Sequence, residues 1–467
     1  MYAAKYGAAD LRRTFKTPEG AYKLKSEKRY GRMLYTIERQ TTRITLALLK
    51  GGEEEGWYVI MNVGEALHIC LFDACEREAV RMVRFRRDTW PVCHCFAPAE
   101  DDADLLVGLS NGEVVLLSLR QQIQFDQSQA SPLATYTGSH RPEDEVVCTA
   151  VTWAASEDPT QFVATFSDGT LRIFDKGKSI SGADIKFNSG TRGVAPNDTI
   201  DLCCGCIHDA SVSPDGTKLA VVSKDGLLRV FDSNSRQLLT GFQSYYGGLL
   251  CCAWSPDSKY VATGGEDDMV SIFSVKQGCV IAFGEGHDSW ISQVAFDIGQ
   301  ENTVENAGTT STFDDEGLRT SFYRVGSIGQ DAKVALWDIE VDDDLDAAEV
   351  LTPGGRSLSS GAAPLEMVAD ESIGGPFARH SLDSQQENGS DGAGVICPAI
   401  PHRDMDIKPP ITIHKIHRDP GADIVFTEDF MFTCDCTGHL RCWWKPGANA
   451  AQPTKSPSSN TSLAPDE

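Results

Sequence analysis

The chain has 467 residues, 67 acidic and 42 basic, for a formal net charge of −25. That balance argues against a general nucleic-acid binder, which needs a basic footprint on phosphates, and against docking on an anionic membrane; a hydrophobic share of 41% with 8% aromatics also excludes wholesale disorder. No apolar run nears the ~20 residues of a membrane-spanning helix and the start, MYAAKYGAADLRRTFK, lacks an apolar signal core, so the sequence predicts a soluble, unsecreted protein, cytoplasmic or nuclear.

Taken in chain order, residues 1–43 form an N-terminal segment containing FKTPEGAYKL (15–24) and a candidate for the strand that closes a ring, the sequence leaving open which terminal strand does so. From 44 to 446 the sequence repeats a unit of turn, apolar strand, tight turn and alternating strand. The first copies, ITLALLKGGEEEGWYVIMNVGEALHICLFD (44–73) and PVCHCFAPAEDDADLLVGLSNGEVVLLSL (91–119), are weak; the second carries an Asn111-Gly112 turn. CTAVTWAASEDPTQFVATFSDGTLRIFD (148–175) is clearer and sets Asp168 six residues before Phe174. A polar linker over about 176–206 reads as a surface excursion.

The pattern is plainest where SPDGTKLAVVSKDGLLRVFD (213–232) aligns without a gap on SPDSKYVATGGEDDMVSIFS (255–274), 42 residues on. Asp225 and Asp267 share one position, each six residues before an aromatic, Phe231 or Phe273. A period of ~40–45 residues with this internal order belongs to a four-stranded propeller blade. The next copy is split. Its first strand is ISQVAFD (291–297), an acidic, Thr-rich insertion follows over 298–321, and YRVGSIGQDAKVALWD (323–338) ends in the Trp-Asp pair of a WD repeat. A second insertion, about 340–406, opens with EVDDDLDAAE; residues 340–400 hold twelve acidic and two basic side chains, and this composition predicts disorder. ADIVFTEDFMFTCDCTGHLRCWW (422–444) is the last copy, with Thr437 at the aspartate position and Trp443 at the aromatic; residues 447–467 read as a disordered tail. The expected architecture is all-β, a seven-bladed WD-repeat β-propeller with disordered acidic insertions.

Gly169 and Gly226 fit a hairpin turn that demands positive φ, and the aspartate before each can accept hydrogen bonds from the turn's amides. The sixth unit adds Gly286-His287 ahead of its first strand to Ser327, Asp331 and Trp337. In WD-repeat proteins such a His, Ser, Asp and Trp form a buried hydrogen-bonded chain, so fold stability accounts for a set that resembles a Ser/His/Asp nucleophile. Cys93-His94-Cys95, Cys203-Cys204-Gly205-Cys206 and Cys434-Asp435-Cys436 cluster thiols without the paired CxxC spacing of a zinc site; His414, His417 and His439 read as solvated or hydrogen-bonded surface histidines. The fifteen cysteines are odd in number and dispersed, so most are expected reduced and buried. No phosphate loop, H-E-x-x-H pair or G-x-S-x-G elbow occurs. The sequence therefore predicts no enzyme, no cofactor and no metal.

Two linkers carry aromatics: Ser244-Tyr245-Tyr246-Gly247-Gly248 and Gly286-His287-Asp288-Ser289-Trp290. Both precede the innermost strand of a blade and so project from one face. Tyr246 and Trp290 lie 44 residues apart, close to one period, which makes them neighbours on the rim. Rigid aromatics so placed suit a protein-binding hot spot; plugging the ring or packing on each other is the alternative.

SYYGGLLCCAWSPDSKYVATGGEDDMVSIFS (244–274), GHDSWISQVAFD (286–297) and YRVGSIGQDAKVALWD (323–338) resemble the family of the fungal catabolite-repression protein CreC, the dystrophia-myotonica WD-repeat protein and the WD-repeat protein twenty of animals. FKTPEGAYKL and the last blade's VFTEDFMFTCDCTGHLRCWWKPG (425–447) are similar to the corresponding segments of that family. The resemblance implies a non-catalytic activating subunit of a ubiquitin-specific protease, working alongside a second WD-repeat scaffold and, in fungal relatives, linked to carbon catabolite repression. It also implies that Tyr246, with Tyr245 beside it, and Trp290 contact the protease. A substrate receptor of a ubiquitin ligase, or a peptide- or histone-reading propeller, is the alternative.

Overall fold

The structure, a computed structural model, describes residues 11–30, 42–85, 89–98, 103–125, 132–137, 146–154, 160–177, 193–298, 310–313, 319–342 and 394–448. These residues form seven antiparallel sheets arranged as the blades of a propeller. Blade one comprises Ile44–Leu49, Gly56–Val63, Ala66–Leu71 and Arg81–Arg84. Blade two comprises Pro91–Pro98, Ala103–Leu109, Glu113–Ser118 and Ala134–Thr137. Blade three is Cys148–Trp153, Gln161–Phe166, Thr170–Asp175 and Asp198–Asp201; blade four is Ile207–Val212, Lys218–Ser223, Leu227–Asp232 and Leu238–Gln243. Blade five follows with Leu249–Trp254, Tyr260–Gly265, Met269–Ser274 and Cys279–Glu285.

The last two blades are assembled from distant segments. Blade six pairs Ile291–Phe296, Arg319–Gly329 and Lys333–Asp342 with Thr412–Lys415, which arrives from beyond the second insertion. Blade seven, built from Gly421–Phe426, Phe430–Asp435 and His439–Trp444, takes its outer strand from the N-terminal segment: Gly20–Arg29 runs antiparallel to His439–Trp444, with Lys23 opposite Trp444 and Arg29 opposite His439. The ring is thus closed by joining the two ends of the described chain.

No single core serves the whole molecule. Seven apolar clusters each lie between two successive blades, as with Phe162 and Phe174 of blade three against Tyr136 of blade two, or Trp337 of blade six beside Ile272 of blade five. Strands in the middle of a blade are consequently covered on both faces. Tyr260–Gly265 and Met269–Ser274 are buried at every residue, while the innermost strand Ile291–Phe296 is fully buried only at Ile291, Val294 and Phe296. In six blades the innermost strand carries a register shift at its start, such as Leu249/Cys251 and Ile291/Gln293. Such a bulge bends the strand end and re-aims what precedes it, here the loops that enter each blade on one face.

The insertions differ from their sequence reading at the edges. Asp198–Asp201, within 176–206, is the outer strand of blade three; DTID is too short and polar to announce itself. Within 298–321, Thr310–Phe313 pairs with the start of Arg319–Gly329. The second insertion is structured at both ends: residues 340–342 complete a blade-six strand, and from 394 onward the chain runs along the rim. Val395–Cys397 adds a parallel fifth strand to blade four (Gly241 opposite Ile396), and Ile407–Lys408 does the same for blade five (Phe283 opposite Ile407). Open edges of two blades supplied the hydrogen-bonding partner that composition does not reveal. Residues 343–393 and the tail from 449, where disorder is the expectation, lie outside the described residues.

Candidate partner-binding face

Each blade presents the turn between its second and third strands on the same face as the loop entering its first. In blades three and four that turn follows one plan. Asp168 accepts from Thr170 N at 3.0 Å and Asp225 from Leu227 N at 3.1 Å, with Gly169 and Gly226 at φ 86° and 79°. A cation four residues on neutralises each acid: Arg172 lies 3.0 Å from Asp168, and Arg229 lies 2.6 Å from Asp225. Although burial pushes the Asp225 carboxyl up, Arg229 and Ser223 hold it below the usual carboxylate range.

Blade six replaces arginine with histidine. His287 Nδ1 lies 3.1 Å from both carboxylate oxygens of Asp331, and Nε2 lies 2.7 Å from Ser327 Oγ. With its proton toward the carboxylate, the ring accepts the serine hydroxyl at Nε2. Trp337, expected in the hydrogen-bonded chain, instead packs 6.0 Å from it, centroid to centroid, and its Nε1 has no hydrogen-bond partner among the described residues. Burial raises Asp331, but His287 outweighs it and holds the acid low. Both His287 and Ser327 are buried, so the set has no access for a substrate and braces the loop that carries Trp290, whose carbonyl accepts from Gln330 N at 2.8 Å.

Blade seven holds a second such set, with a corrected member. His417 Nε2 lies 3.0 Å from Thr433 Oγ1, Trp443 Nε1 donates to the same hydroxyl at 3.1 Å, and His417 Nδ1 faces Asp435 at 3.4 Å. Asp435 acts from two positions before Thr437, which itself donates to that carboxylate through its hydroxyl at 2.8 Å. His417 is therefore fully buried rather than a surface histidine. His417, Asp435 and His439 each place a ligand atom within 4.8 Å of the others, the one such group among the described residues. Thr437 and the backbone N–H of His439 donate to Asp435 Oδ1, whereas Asp435 Oδ2, His417 Nδ1 and His439 Nδ1 have no hydrogen-bond partner among the described residues. All fifteen cysteines are unpaired thiols; Cys203 alone is exposed, and Cys93, Cys204, Cys434 and Cys436 are buried.

The aromatic loops are displayed as their position in the blade requires. Tyr245, Tyr246 and Trp290 are 48%, 69% and 44% exposed; among the large exposed apolar side chains of the described residues, only these three lie on loops entering an innermost strand. The Tyr246 loop is fixed by its neighbours. Ser244 Oγ donates to Gly247 O at 2.9 Å, Gly248 N donates to Glu266 Oε2 at 2.9 Å, and Glu266 N donates to Gly248 O at 2.9 Å. Gly247 sits at φ 65° with the Glu266 side chain where a Cβ would go, so no other residue fits there without strain. Tyr245 leans on His402 of the rim segment, 5.9 Å between ring centroids. Tyr246 points away with most of its ring in solvent, and Trp290 lies on the next loop around the rim. Large rigid aromatics held by a hydrogen-bonded loop cost little entropy to bury, as an interface anchor requires.

What repeat reading missed is the turn between these loops. Blade five carries Glu266-Asp267-Asp268 where blade four carries Lys224-Asp225-Gly226, and Ser271 stands at the arginine position. The aligned repeats contain that signal, in the missing arginine. Burial raises the Asp267 carboxyl to about 6, and one of its oxygens has no hydrogen-bond partner among the described residues.

Comparison with known proteins agrees with this architecture. The family model described as WD domain, G-beta repeat matches residues 199–232 and 236–274, from the outer strand of blade three to the third strand of blade five. The chain is a WD40-repeat β-propeller. A protein named UBP9-binding protein bun62, from Schizosaccharomyces pombe, is 27% identical over 402 residues, spanning 80% of this WD40 propeller chain and 67% of that protein. A WD repeat-containing protein 20 homolog from Caenorhabditis elegans is 27% identical over 414 residues, 72% of this chain and 52% of that one. This chain thus spans about two thirds of one relative and half of the other. A chain of a solved structure described as the crystal structure of a mitotic checkpoint complex shares the fold at TM-score 0.56 and 11% identity, covering 95% of this chain and 97% of its own.

Proposed function

We propose that this WD40 propeller is a non-catalytic subunit that binds a ubiquitin-specific protease and raises its activity. The observation that carries the reading is the pair of exposed anchors, Tyr246 and Trp290, on adjacent rigid loops of a chain similar over 80% of its length to a protein named for binding UBP9. The propeller adds no group to the chemistry in this reading: among the described residues, the Ser/His/Asp set on this face is buried and committed to the blade. Activation proceeds by population shift, the face binding the protease's active arrangement more tightly than its resting one. A large effect requires a differential affinity of a few kcal/mol between the two states. A second WD-repeat scaffold completes the assembly in this reading.

The test is affinity purification of the tagged protein from native extract, followed by cleavage of a fluorogenic ubiquitin substrate by the recovered protease. A ubiquitin-specific protease is expected, activated by wild-type protein and not by Tyr246→Ala or Trp290→Ala variants of unchanged Tm. Recovery of a cullin adaptor without a protease, or full activation by both variants, would overturn it.

A further inference from the structure

We propose that the face between Tyr246 and Trp290 receives an arginine of its protein partner, held against the turn Glu266–Asp268 and flanked by apolar side chains that cover the two aromatics. The inference rests on the protease-binding reading and adds the chemistry of the contact.

The turn is hydrogen-bonded to the Tyr246 loop and lies within electrostatic reach of the Trp290 loop. Glu266 is hydrogen-bonded twice to Gly248, two residues after Tyr246. On the other side Asp268 feels the charges of His287, Asp288 and Asp331, in and beneath the Trp290 loop. Its acids are unlike those of the other blades. Asp168 and Asp225 have an arginine, Asp331 and Asp435 have a histidine, and the exposed Asp288 is paired with Lys333. Blade two has the neutral Asn111 at its turn. In blade five, among the described residues, no lysine or arginine is paired with the turn, and His287, which acts on Asp268, is committed to Asp331: Ser271 occupies the arginine position, and Asp267 Oδ2 and Asp268 Oδ1 lack any hydrogen-bond partner while being shielded from solvent. A partner's donor cannot reach those two shielded oxygens; it meets the half-buried Glu266–Asp268 turn at its solvent-facing atoms, and a charge-assisted contact there offsets carboxylates that have no arginine of their own. Among the described residues, blade five thus lacks the arginine that pairs this turn in blades three and four, at a place where an exposed aromatic stands on each side.

Arginine fits this frame better than lysine. Its planar fork offers parallel N–H groups to oxygens from two adjacent carboxylates, and the same plane stacks on an aromatic face such as Trp290 or Tyr246. Its guanidinium is also more weakly hydrated than an ammonium, so less is lost on entering a partly dry site.

The experiment uses full-length protein and the catalytic domain of the ubiquitin-specific protease recovered as above. Affinity is measured at several salt concentrations for wild type, Trp290→Ala and the double variant Asp267→Asn/Asp268→Asn. Asparagine keeps the acceptor for Met269 N and tolerates the left-handed backbone of residue 268 (φ 62°), and thermal unfolding verifies that the variant folds. The expected result is binding weakened about tenfold to a hundredfold by the double variant, with a flatter salt dependence. Trp290→Ala should weaken binding while keeping the wild-type salt dependence. Arginine-selective modification with phenylglyoxal, read by mass spectrometry, should find one protease arginine protected by wild type and unprotected by the double variant. Equal affinity and salt dependence for wild type and double variant, with Trp290→Ala still impaired, would overturn this inference and leave the protease reading standing. Protection of a lysine instead, seen with a lysine-selective reagent, would overturn the choice of arginine. Absence of any protease binding by wild type would overturn both.

Discussion

Asp267 differs from its counterparts in blades three and four by the loss of one arginine, and the loss changes what a single carboxylate does to stability. Burial raises its pKa to about 6 from an ordinary value of 3.8. A raised carboxyl binds its proton more tightly folded than unfolded, so its stabilising contribution is present below pH ~3.8 and is lost as pH rises through about 6. Asp267→Asn removes that loss. The variant should melt above wild type at pH 7–8, by an amount corresponding to at most about 3 kcal/mol, and the difference should vanish near pH 4. Calorimetric Tm values across that range check the sign; equal shifts at both ends would refute it. Polar networks at the same scale make a second comparison. Thr433→Val orphans both His417 Nε2 and Trp443 Nε1, whereas Ser327→Ala removes the partner of His287 Nε2 alone. At roughly 1–3 kcal/mol for each buried group left unsatisfied, Thr433→Val should lower Tm further than Ser327→Ala. A larger fall in the serine variant would show that packing rather than hydrogen bonding dominates these sets.

The rim segment is the element that its sequence conceals most thoroughly. Where strands are buried on both faces, as at 218–223 or 260–265, apolar runs bounded by Pro-Asp and Asp-rich turns made the blades legible. Val395–Cys397 and Ile407–Lys408 are two or three residues long, lie next to a low-complexity stretch, and gain their order from edges contributed by residues more than 100 positions away. Nothing local in such a segment selects a strand. Its attachment depends on close backbone approach: a Cβ on Gly394 would lie 2.2 Å from the Leu238 carbonyl oxygen. Gly394→Val should therefore detach Val395–Cys397 from Leu238–Gln243. Hydrogen exchange by mass spectrometry is expected to quicken at 395–397 and along the exposed edge of 238–243, with blade one unchanged. Unaltered exchange at 395–397 would show that the pairing does not hold the segment in place. Through His402, which packs on Tyr245, the same segment adjoins the loop that carries Tyr246, so its attachment also bears on one edge of the proposed binding face.

At the scale of the whole molecule, the excess negative charge and the repeat period speak about different parts of the chain. Residues 340–400 account for −10 of the −25, so the acidic balance is partly that of one insertion, and the proposed binding face carries its own acids around Asp267. The ring itself was legible from the period, because seven similar units with apolar faces on both sides cannot bury them except against one another. Which strand closes the ring was not, since Gly20–Arg29 is rich in lysine and only partly buried, and its partner lies more than 400 residues away. The closure is nonetheless where an annular fold is most exposed to failure. Without residues 11–29, the strand His439–Trp444 would lose six paired positions and the Glu27 carboxylate 2.7 Å from buried Arg441. Trp443 would also lose Phe15 and Tyr22, which are buried around it and stacked on each other at 4.9 Å. Losing two fully buried aromatics alone removes several kcal/mol, comparable to the whole stability of an ordinary domain. A chain beginning at residue 31 should accordingly be insoluble or melt at least ~10 °C below full length, and a synthetic peptide of residues 11–30 added in trans should recover part of the difference, because the sheet edge it would pair with is otherwise complete. A truncated chain with the full-length Tm would mean that the interfaces between blades one, six and seven close the ring without a shared strand.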